Sequence, residues 1–463
     1  MIINRVCLSD SYKYSHSTQY PTEMVSMYDY MEARSSKVYD KVVFFGLQGL
    51  LKEYFSTKIR KEEVSQAAEY AEKHGIPFDR TGWDFIVDNL SGRLPVRIKA
   101  IPEGSVVPNG NVLVSIESTH PSVPWIVGWM ETLIMKVWYP TTIATKSYFV
   151  RKMLEGFAER TSDNLDVSFG FHNFGDRGSS SVESAAIGGV AHLTQFMGTD
   201  NFNSIDYAHK NYFENMAGFS ITATEHSTVT SWGEDGEFDF YNNYLEINKN
   251  KPIIACVMDS YDIYKAVDFI TSGEIKQKIE SEEYPIFVIR PDSGKPLNVL
   301  NVIINIIEEN SVAFTLNSKG YGVWNKYRLI WGDGVTPEEI ENILEYVTSR
   351  GYSSENIAFG SGGDLMQNIN RDTLGFAVKC SSIELETENG IVSRDVFKQP
   401  ITDKGKVSKK GKVTTFINTF SGDYEVDTLD NIDDRKEALE VVYENGDIKK
   451  QYTLEEIRTN SRK

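Results

Sequence analysis

Between residues 253 and 381 the chain alternates short apolar runs with stretches of helical periodicity. The runs are Ile253–Met258, Pro285–Ile289, Tyr327–Trp331, Asn356–Phe359 and Phe376–Ser381, each of strand length. The clearest helix follows the third run. Thr336-Pro-Glu-Glu339 has the residues of a capping box, with Pro at the first helical position. Ile340, Ile343, Leu344 and Val347 then make one apolar stripe, and Gly351 stands where a C-terminal cap belongs. Strands that alternate with helices predict parallel βα units. Four consecutive runs end in polar residues: Asp259-Ser-Tyr-Asp262, Arg290-Pro-Asp-Ser-Gly294, Gly332-Asp-Gly334 and Gly360-Ser-Gly-Gly363. A (β/α)₈ barrel gathers the carboxyl ends of its strands on the face that carries the chemistry. An open doubly wound sheet would gather its site at a switch point instead. Four polar ends in a row favour the barrel, although periodicity alone does not deliver all eight strands.

The flanks follow another pattern. Leu94 to Ile116 reads as short strands broken by Pro, Gly and Asn turns. Val413 to Asp427 around Ser421-Gly422, and Val441 to Tyr452 around Asn445-Gly446, read as two hairpins. A β-rich module assembled from both ends of the chain follows. The expected division is an N-terminal segment 1–150, a barrel over 151–385, and a basic loop with hairpins over 386–463.

Composition narrows the function. The 463 residues exceed one ordinary core, and 40% hydrophobic with 25% charged residues fits a globular enzyme. No apolar run approaches the roughly 18 residues that span a bilayer, and the N-terminus lacks the apolar stretch of a secretion signal. Cys7, Cys256 and Cys380 lie far apart with no Cys-x-x-Cys pair, which fits reduced thiols in the cytoplasm rather than a disulfide or zinc framework. A net charge of −18 disfavours nonspecific nucleic-acid binding. An anionic small substrate would need cations concentrated locally. Lys398, Lys404, Lys406, Lys409, Lys410 and Lys412 offer that, although such a run by itself reads first as a solvated loop.

Each polar strand end has a chemical reading and a plainer one. Gly360-Ser-Gly-Gly363 before a predicted helix Asp364–Ile369 is a backbone-amide cradle for phosphate, or a simple turn. Asp364 brings a negative charge there and is expected to point away. The Arg290 guanidinium suits phosphate or an aromatic face. Asp292 suits ribose hydroxyls or Mg²⁺, or the two form a structural ion pair. Asp333, between Gly332 and Gly334, makes the same offer with room for close approach. His226 follows Glu225, and Asp259 could orient its ring as a carboxylate orients a catalytic imidazole; a lone histidine is also commonly structural. No zinc spacing accompanies it. In His172-Asn-Phe-Gly-Asp-Arg-Gly178, Phe174 offers a stacking face and Arg177 a cation, unless the ring is mere packing.

Taken in order, Asp10-Ser-Tyr-Lys, His172-x-Phe-Gly-x-Arg-Gly178, Gly198-Thr-Asp200, Ala223-x-Glu-His-Ser227, Asp259-Ser-Tyr-Asp262, Ile289-Arg-Pro-Asp-Ser-Gly294, Gly332-Asp-Gly334 and Ile357-Ala-Phe-Gly-Ser-Gly-Gly363 resemble the nicotinamide phosphoribosyltransferase family, as does Ser408-Lys-Lys-Gly411. The resemblance runs from about Asp10 to Ser461. It implies a type II phosphoribosyltransferase: an irregular α/β barrel plus a β-rich domain, working as a head-to-tail homodimer whose interface includes the 1–150 segment. The implied reaction joins nicotinamide to the phosphoribosyl group of phosphoribosyl pyrophosphate. It is coupled to ATP hydrolysis through a phosphohistidine at His226, with Mg²⁺ held mainly by pyrophosphate.

The resemblance also implies residue roles. Phe174 and the other subunit's Tyr12 would sandwich the pyridine ring, near Arg290, Ser220 and Ala223. Asp292 would bind ribose hydroxyls and Arg177 phosphate; Gly332, Asp333, Gly362 and Gly363 would line the ribose-phosphate pocket. Arg34, Arg371, Lys379, Lys398 and Lys406 would be the pyrophosphate and ATP-phosphate cations. Glu225 and Asp259 would stand beside His226. Asp200 would accept from a neutral carboxamide and repel a nicotinate carboxylate. Departures are Asn173 and Asp176, where animal members carry Asp and Tyr, Ala377 in place of a phosphate-contacting Ser, and a short loop from Gly233 to Lys251. A nicotinate phosphoribosyltransferase is the nearest alternative, which Asp200 opposes. A Mg²⁺-dependent barrel hydrolase using Asp259, Asp292 and Asp333 would need neither Tyr12 nor the lysine loop. A non-catalytic binding protein on this scaffold would not need His226, Asp292 or the glycine cradle.

Overall fold

Short apolar runs flanked by turn residues become strands buried on both faces, the condition of a parallel sheet. The computed structural model describes residues 3–332, 334–402, 407–431 and 434–463. It divides into two compact units, one of Met1–Thr145, Ala208–Glu214 and Asn370–Lys463, the other of Lys146–Tyr207 and Asn215–Ile369. The sequence placed these divisions at 150 and 385; they fall at 145 and 369.

The second unit holds a seven-stranded parallel sheet in the order Gly198–Thr199, Phe171–Asn173, Ile357–Ser361, Tyr327–Trp331, Ile286–Arg290, Ile253–Val257, Thr222–Ala223. A parallel bridge from Gly198 to Phe219, just before the last strand, joins the two edges, so the sheet curls round on itself. Inside, Ala255, Val288 and Ile330 cluster with Phe174, Ile253 and Ala358. Helices lie between the strands. Pro296–Glu309 buries Val299, Leu300, Ile303, Ile304 and Ile307, and Pro337–Ser349 buries the expected stripe. The capping box forms: Thr336 N donates to the Glu339 carboxylate at 2.9 Å and Glu339 N to Thr336 Oγ1 at 3.2 Å. Gly351 takes a φ of +83°.

The first unit holds an antiparallel sheet in the order Gly390–Asp395, Phe376–Thr387, Met24–Ala33, Val112–Ser118, Val96–Ala100, Glu440–Glu444, Asp447–Ile448. Both ends of the chain therefore build one sheet. Both expected hairpins form, and the tighter turns at Asn445 and Gly446, with φ of +50° and +91°, in the left-handed region that two-residue hairpins use. The run Phe376–Ser381, expected in the barrel, instead pairs antiparallel with Met24–Ala33. An apolar run fixes a strand, not its sheet, and here a 3-10 turn (Arg371–Thr373) rather than a crossover helix precedes it. All three cysteines are free thiols. Among the described residues no helix is long and apolar enough to cross a membrane.

Candidate active site

The carboxyl ends of the parallel strands place the barrel's candidate residues. Phe174 follows its strand directly, its N–H donating to Ser361 O at 2.9 Å. The ring lies so close over the neighbouring strand that a Cβ on Gly360 would stand 1.9 Å from Phe174 Cε2. Arg290, the last residue of its strand, sets its guanidinium carbon 5.5 Å from the Phe174 ring centroid and donates from Nη2 to Asp292 Oδ1 at 3.2 Å. Its Nε is buried without a partner, an unspent donor beside the ring. A Cβ on Gly332 would meet Phe174, Arg290 and Asp292 at 3.4 to 3.5 Å, so Gly332 faces the space these three surround.

Asp200 follows Gly198–Thr199. Its N–H donates to Asn173 O at 3.0 Å, and Ser220 Oγ donates to its carboxylate at 2.5 Å. Asp200, Ser220, Phe174 and Arg290, with Ala223 and His172, line a cavity of about 660 Å³. The small Ala255 and Ala358 leave its middle open, and it continues to Arg328, Asn164, Ser162 and Glu355. Arg328 lies near the start of its strand and Arg290 at the end of its own, so the cavity runs the length of the barrel. Burial lowers the His172 pKa, against the Phe169 carbonyl and Asp200, and its Nε2 lies 2.8 Å from Phe169 O.

His226 opens the helix His226–Thr230, and its Nε2 lies 2.9 Å from Asp259 Oδ1. The imidazole is 47% exposed and the carboxylate only 5%, so a sunken acid holds a presented ring. Glu225 does not share that pair; its carboxylate accepts from the Ser227 hydroxyl. Gly362 and Gly363 open the short helix Gly363–Gln367. Gly178 packs on Gly363, which brings the turn bearing Arg177 beside the glycine cradle. Asp364 points away as expected, paired with buried Lys146, whose Nζ also donates to Asp364 O at 2.9 Å. Asn173 is buried, its Oδ1 accepting from Gly175 N at 2.8 Å and its Nδ2 unpartnered. Asp176 accepts weakly from Asn203 at 3.4 Å. Asp333 lies outside the described residues.

A second group gathers in the other unit. Arg34, Arg371 and Lys379 line a cavity of about 280 Å³ with Ala377 and Glu131. Arg34 Nε donates to Glu32 at 3.1 Å, and burial lowers the Lys379 pKa. Lys398 is tied through its backbone to Ser408, N to Oγ at 2.8 Å. Lys404 and Lys406 lie outside the described residues. The basic run is not a purely solvated loop: Lys409 pairs with Glu32, and Lys412 bridges Glu117 and Glu384 at 2.6 and 2.8 Å. Tyr12 stands on the 3-10 helix Ser11–Thr18, 56% exposed, its ring edge-on to His16.

Sequence reasoning missed Ser260, whose buried Oγ beside Asp259 has no partner, and the far cavity wall at Arg328 and Glu355. A charged residue inside the apolar run Tyr327–Trp331 was the available signal for Arg328. Among the described residues no three His, Cys, Asp or Glu side chains converge as a metal site.

Residues 169–447 match the family model of the nicotinate phosphoribosyltransferase (NAPRTase) family, and residues 4–98 that of the nicotinamide phosphoribosyltransferase N-terminal domain. The nicotinamide phosphoribosyltransferase of Xanthomonas campestris pv. campestris is 42% identical, covering 99% of this chain and 98% of its own. That of Acinetobacter baylyi is 29% identical over 98% and 96% of the two chains. Two crystal structures share the fold: nicotinate-nucleotide pyrophosphorylase from Pyrococcus furiosus (TM-score 0.60, 14% identity, 99% and 94% covered) and human nicotinic acid phosphoribosyltransferase (0.58, 13%, 98% and 93%).

Proposed function

The chain belongs to the nicotinate phosphoribosyltransferase family, and from that membership we propose that it transfers the 5-phosphoribosyl group of phosphoribosyl pyrophosphate to nicotinamide. The products are nicotinamide mononucleotide and pyrophosphate, a step of NAD salvage in the cytoplasm. The observation that carries this choice is Asp200, a carboxylate held by Ser220 in the same cavity as Phe174 and Arg290. It accepts from a carboxamide NH₂ and repels a carboxylate.

Breaking the anomeric C–O bond leaves positive charge on the ribose ring and negative charge on pyrophosphate. Phe174 stacks the pyridine ring so that its nitrogen faces the anomeric carbon, with Tyr12 of a second subunit on the other side. Asp292 takes the ribose hydroxyls. Arg177 and the Gly362-Gly363 amides take the 5′-phosphate. Arg34, Arg371, Lys379, Lys398 and Lys406 stabilise the leaving charge and the phosphates of ATP, across the interface of a homodimer. Mg²⁺ would be held mainly by pyrophosphate oxygens, with Asp259 and Asp292 the strand-end carboxylates that would hold it from the protein side, and would supply charge neutralisation. ATP phosphorylates His226. With Nε2 held by Asp259, Nδ1 is the nitrogen left to accept the phosphoryl group. Glu225 supports this helix end rather than the ring.

The test is mass detection of nicotinamide mononucleotide from nicotinamide, phosphoribosyl pyrophosphate and Mg²⁺, with and without ATP. Product that rises with ATP supports the reading. Product from nicotinate alone would transfer the chain to the other substrate.

A further inference from the structure

Behind the cationic cavity lies a carboxyl group that the proposed reaction does not use. Asp29 sits on the strand Met24–Ala33, directly across from Cys380 on one side and Ile116 on the other. It is 2% exposed, and its Oδ1 has no hydrogen-bond partner. Charged and titratable groups face it from three elements. The strand Phe376–Thr387 brings the Cys380 thiol, whose Sγ donates to Ser382 O at 3.8 Å, and Lys379. The helix Ile126–Met135 brings Glu131, and the N-terminal segment brings Lys13 and Tyr20. Lys13 Nζ is spent on Glu131, at 2.6 Å. Lys379 and Glu131 line the cavity itself, so Asp29 lies one layer beneath its wall.

We propose that Asp29 is a proton-accepting positioning residue of this cavity, taking a proton from solvent when a pyrophosphate-type anion binds. The inference rests on assigning Arg34, Arg371 and Lys379 to the phosphate site. Ionised, Asp29 offsets part of the Lys379 charge and repels the incoming anion. Neutral, it leaves Glu131 alone to oppose the lysine charge. Burial, reinforced by Glu131, pushes Asp29 up to about 7, while Lys13, the Cys380 thiol and Lys379 act against it. The group therefore sits near half ionisation at neutral pH, and an added anion tips it toward the protonated form.

The experiment is calorimetric titration of inorganic pyrophosphate into the full chain and its Asp29→Asn variant, at pH 7 in two buffers of different ionisation enthalpy. Protonation of pyrophosphate itself is common to both proteins. Wild type should take up more protons per anion bound. Between pH 6 and 8 its affinity should fall about fivefold more than that of the variant, the change expected when binding raises one pKa near 7 by about one unit. Asp29→Ser, read beside its circular dichroism melt, serves if the Asn variant does not fold. Equal proton uptake with parallel pH profiles overturns the inference and leaves the phosphate site standing. Failure of wild type to bind pyrophosphate overturns both.

Discussion

Asp200 and Gly360 are the two positions where one atom decides most. Two carboxylates about 4 Å apart at an effective dielectric near 20 repel by about 4 kcal/mol, of which protonation and solvent relieve a part. Asp200→Asn should therefore shift kcat/KM toward nicotinate over nicotinamide by about tenfold to a hundredfold, roughly 1.4 to 3 kcal/mol. An unchanged ratio in a folded variant would remove Asp200 from substrate choice. Gly360→Ala places a methyl inside the Phe174 ring position. The ring must tilt off its strand, and KM for nicotinamide should rise at least about tenfold with the fold retained, the cost of misplacing a stacking face. Wild-type KM would show that the ring moves freely. Much of this site was legible in the sequence because each residue ends or follows a strand in a fixed motif. Ser260 and the unpartnered Nδ2 of Asn173 were not, since their interest lies in lacking a partner, which no sequence pattern records.

At the scale of elements, caps and buried acids make measurable claims. Thr336→Ala removes one side of the capping box of Pro337–Ser349 and should destabilise the chain by about 1 kcal/mol, read in a denaturant melt. An unchanged midpoint would mean that Pro337 and packing hold the helix start alone. Glu103 accepts from Gln48 N at 2.6 Å, at the start of the helix Leu47–Leu50. Burial, opposed by the bonds from Gln48 and its neighbours, raises its pKa from 4.5 to about 7. A folded carboxyl that holds its proton more tightly than the unfolded one contributes stability below 4.5 that is lost as pH rises toward 7. Glu103→Gln keeps an acceptor and has no such dependence. Its melting temperature relative to wild type should therefore climb between pH 4.5 and 7; a constant difference would show that Glu103 titrates normally. The long runs and the capped helix were readable in advance, but the strands Phe171–Asn173, Gly198–Thr199 and Thr222–Ala223 are too short to show a period. Phe376–Ser381 was readable as a strand and not as a neighbour of Met24–Ala33, because pairing between residues so distant in sequence leaves no local mark.

For the whole molecule, the proposed sharing of a site across a homodimer makes a genetic prediction. Tyr12→Ala and His226→Ala chains, each weak alone, should recover part of the activity when co-expressed, since one of the two sites then has both groups intact. Full activity in a verified monomer would exclude sharing. The antiparallel sheet built from both ends of the chain bears on the order of events during synthesis. Every strand of the barrel has been made once residue 361 is added, and apart from the pairing of Phe171–Asn173 with Ile357–Ser361 its neighbours are close in sequence, which favours closure before the other sheet is complete. The other sheet is completed late: Met24–Ala33 and Val96–Ala100 emerge first and share Val112–Ser118 between them, yet their outer partners Phe376–Thr387 and Glu440–Glu444 come last. For most of translation these early strands present open, apolar edges, the state in which a chain is most exposed to aggregation. A released chain that ends at residue 369, holding every barrel strand but lacking Phe376–Thr387 and Glu440–Glu444, should therefore bind holdase chaperones through its first hundred residues while its barrel resists protease.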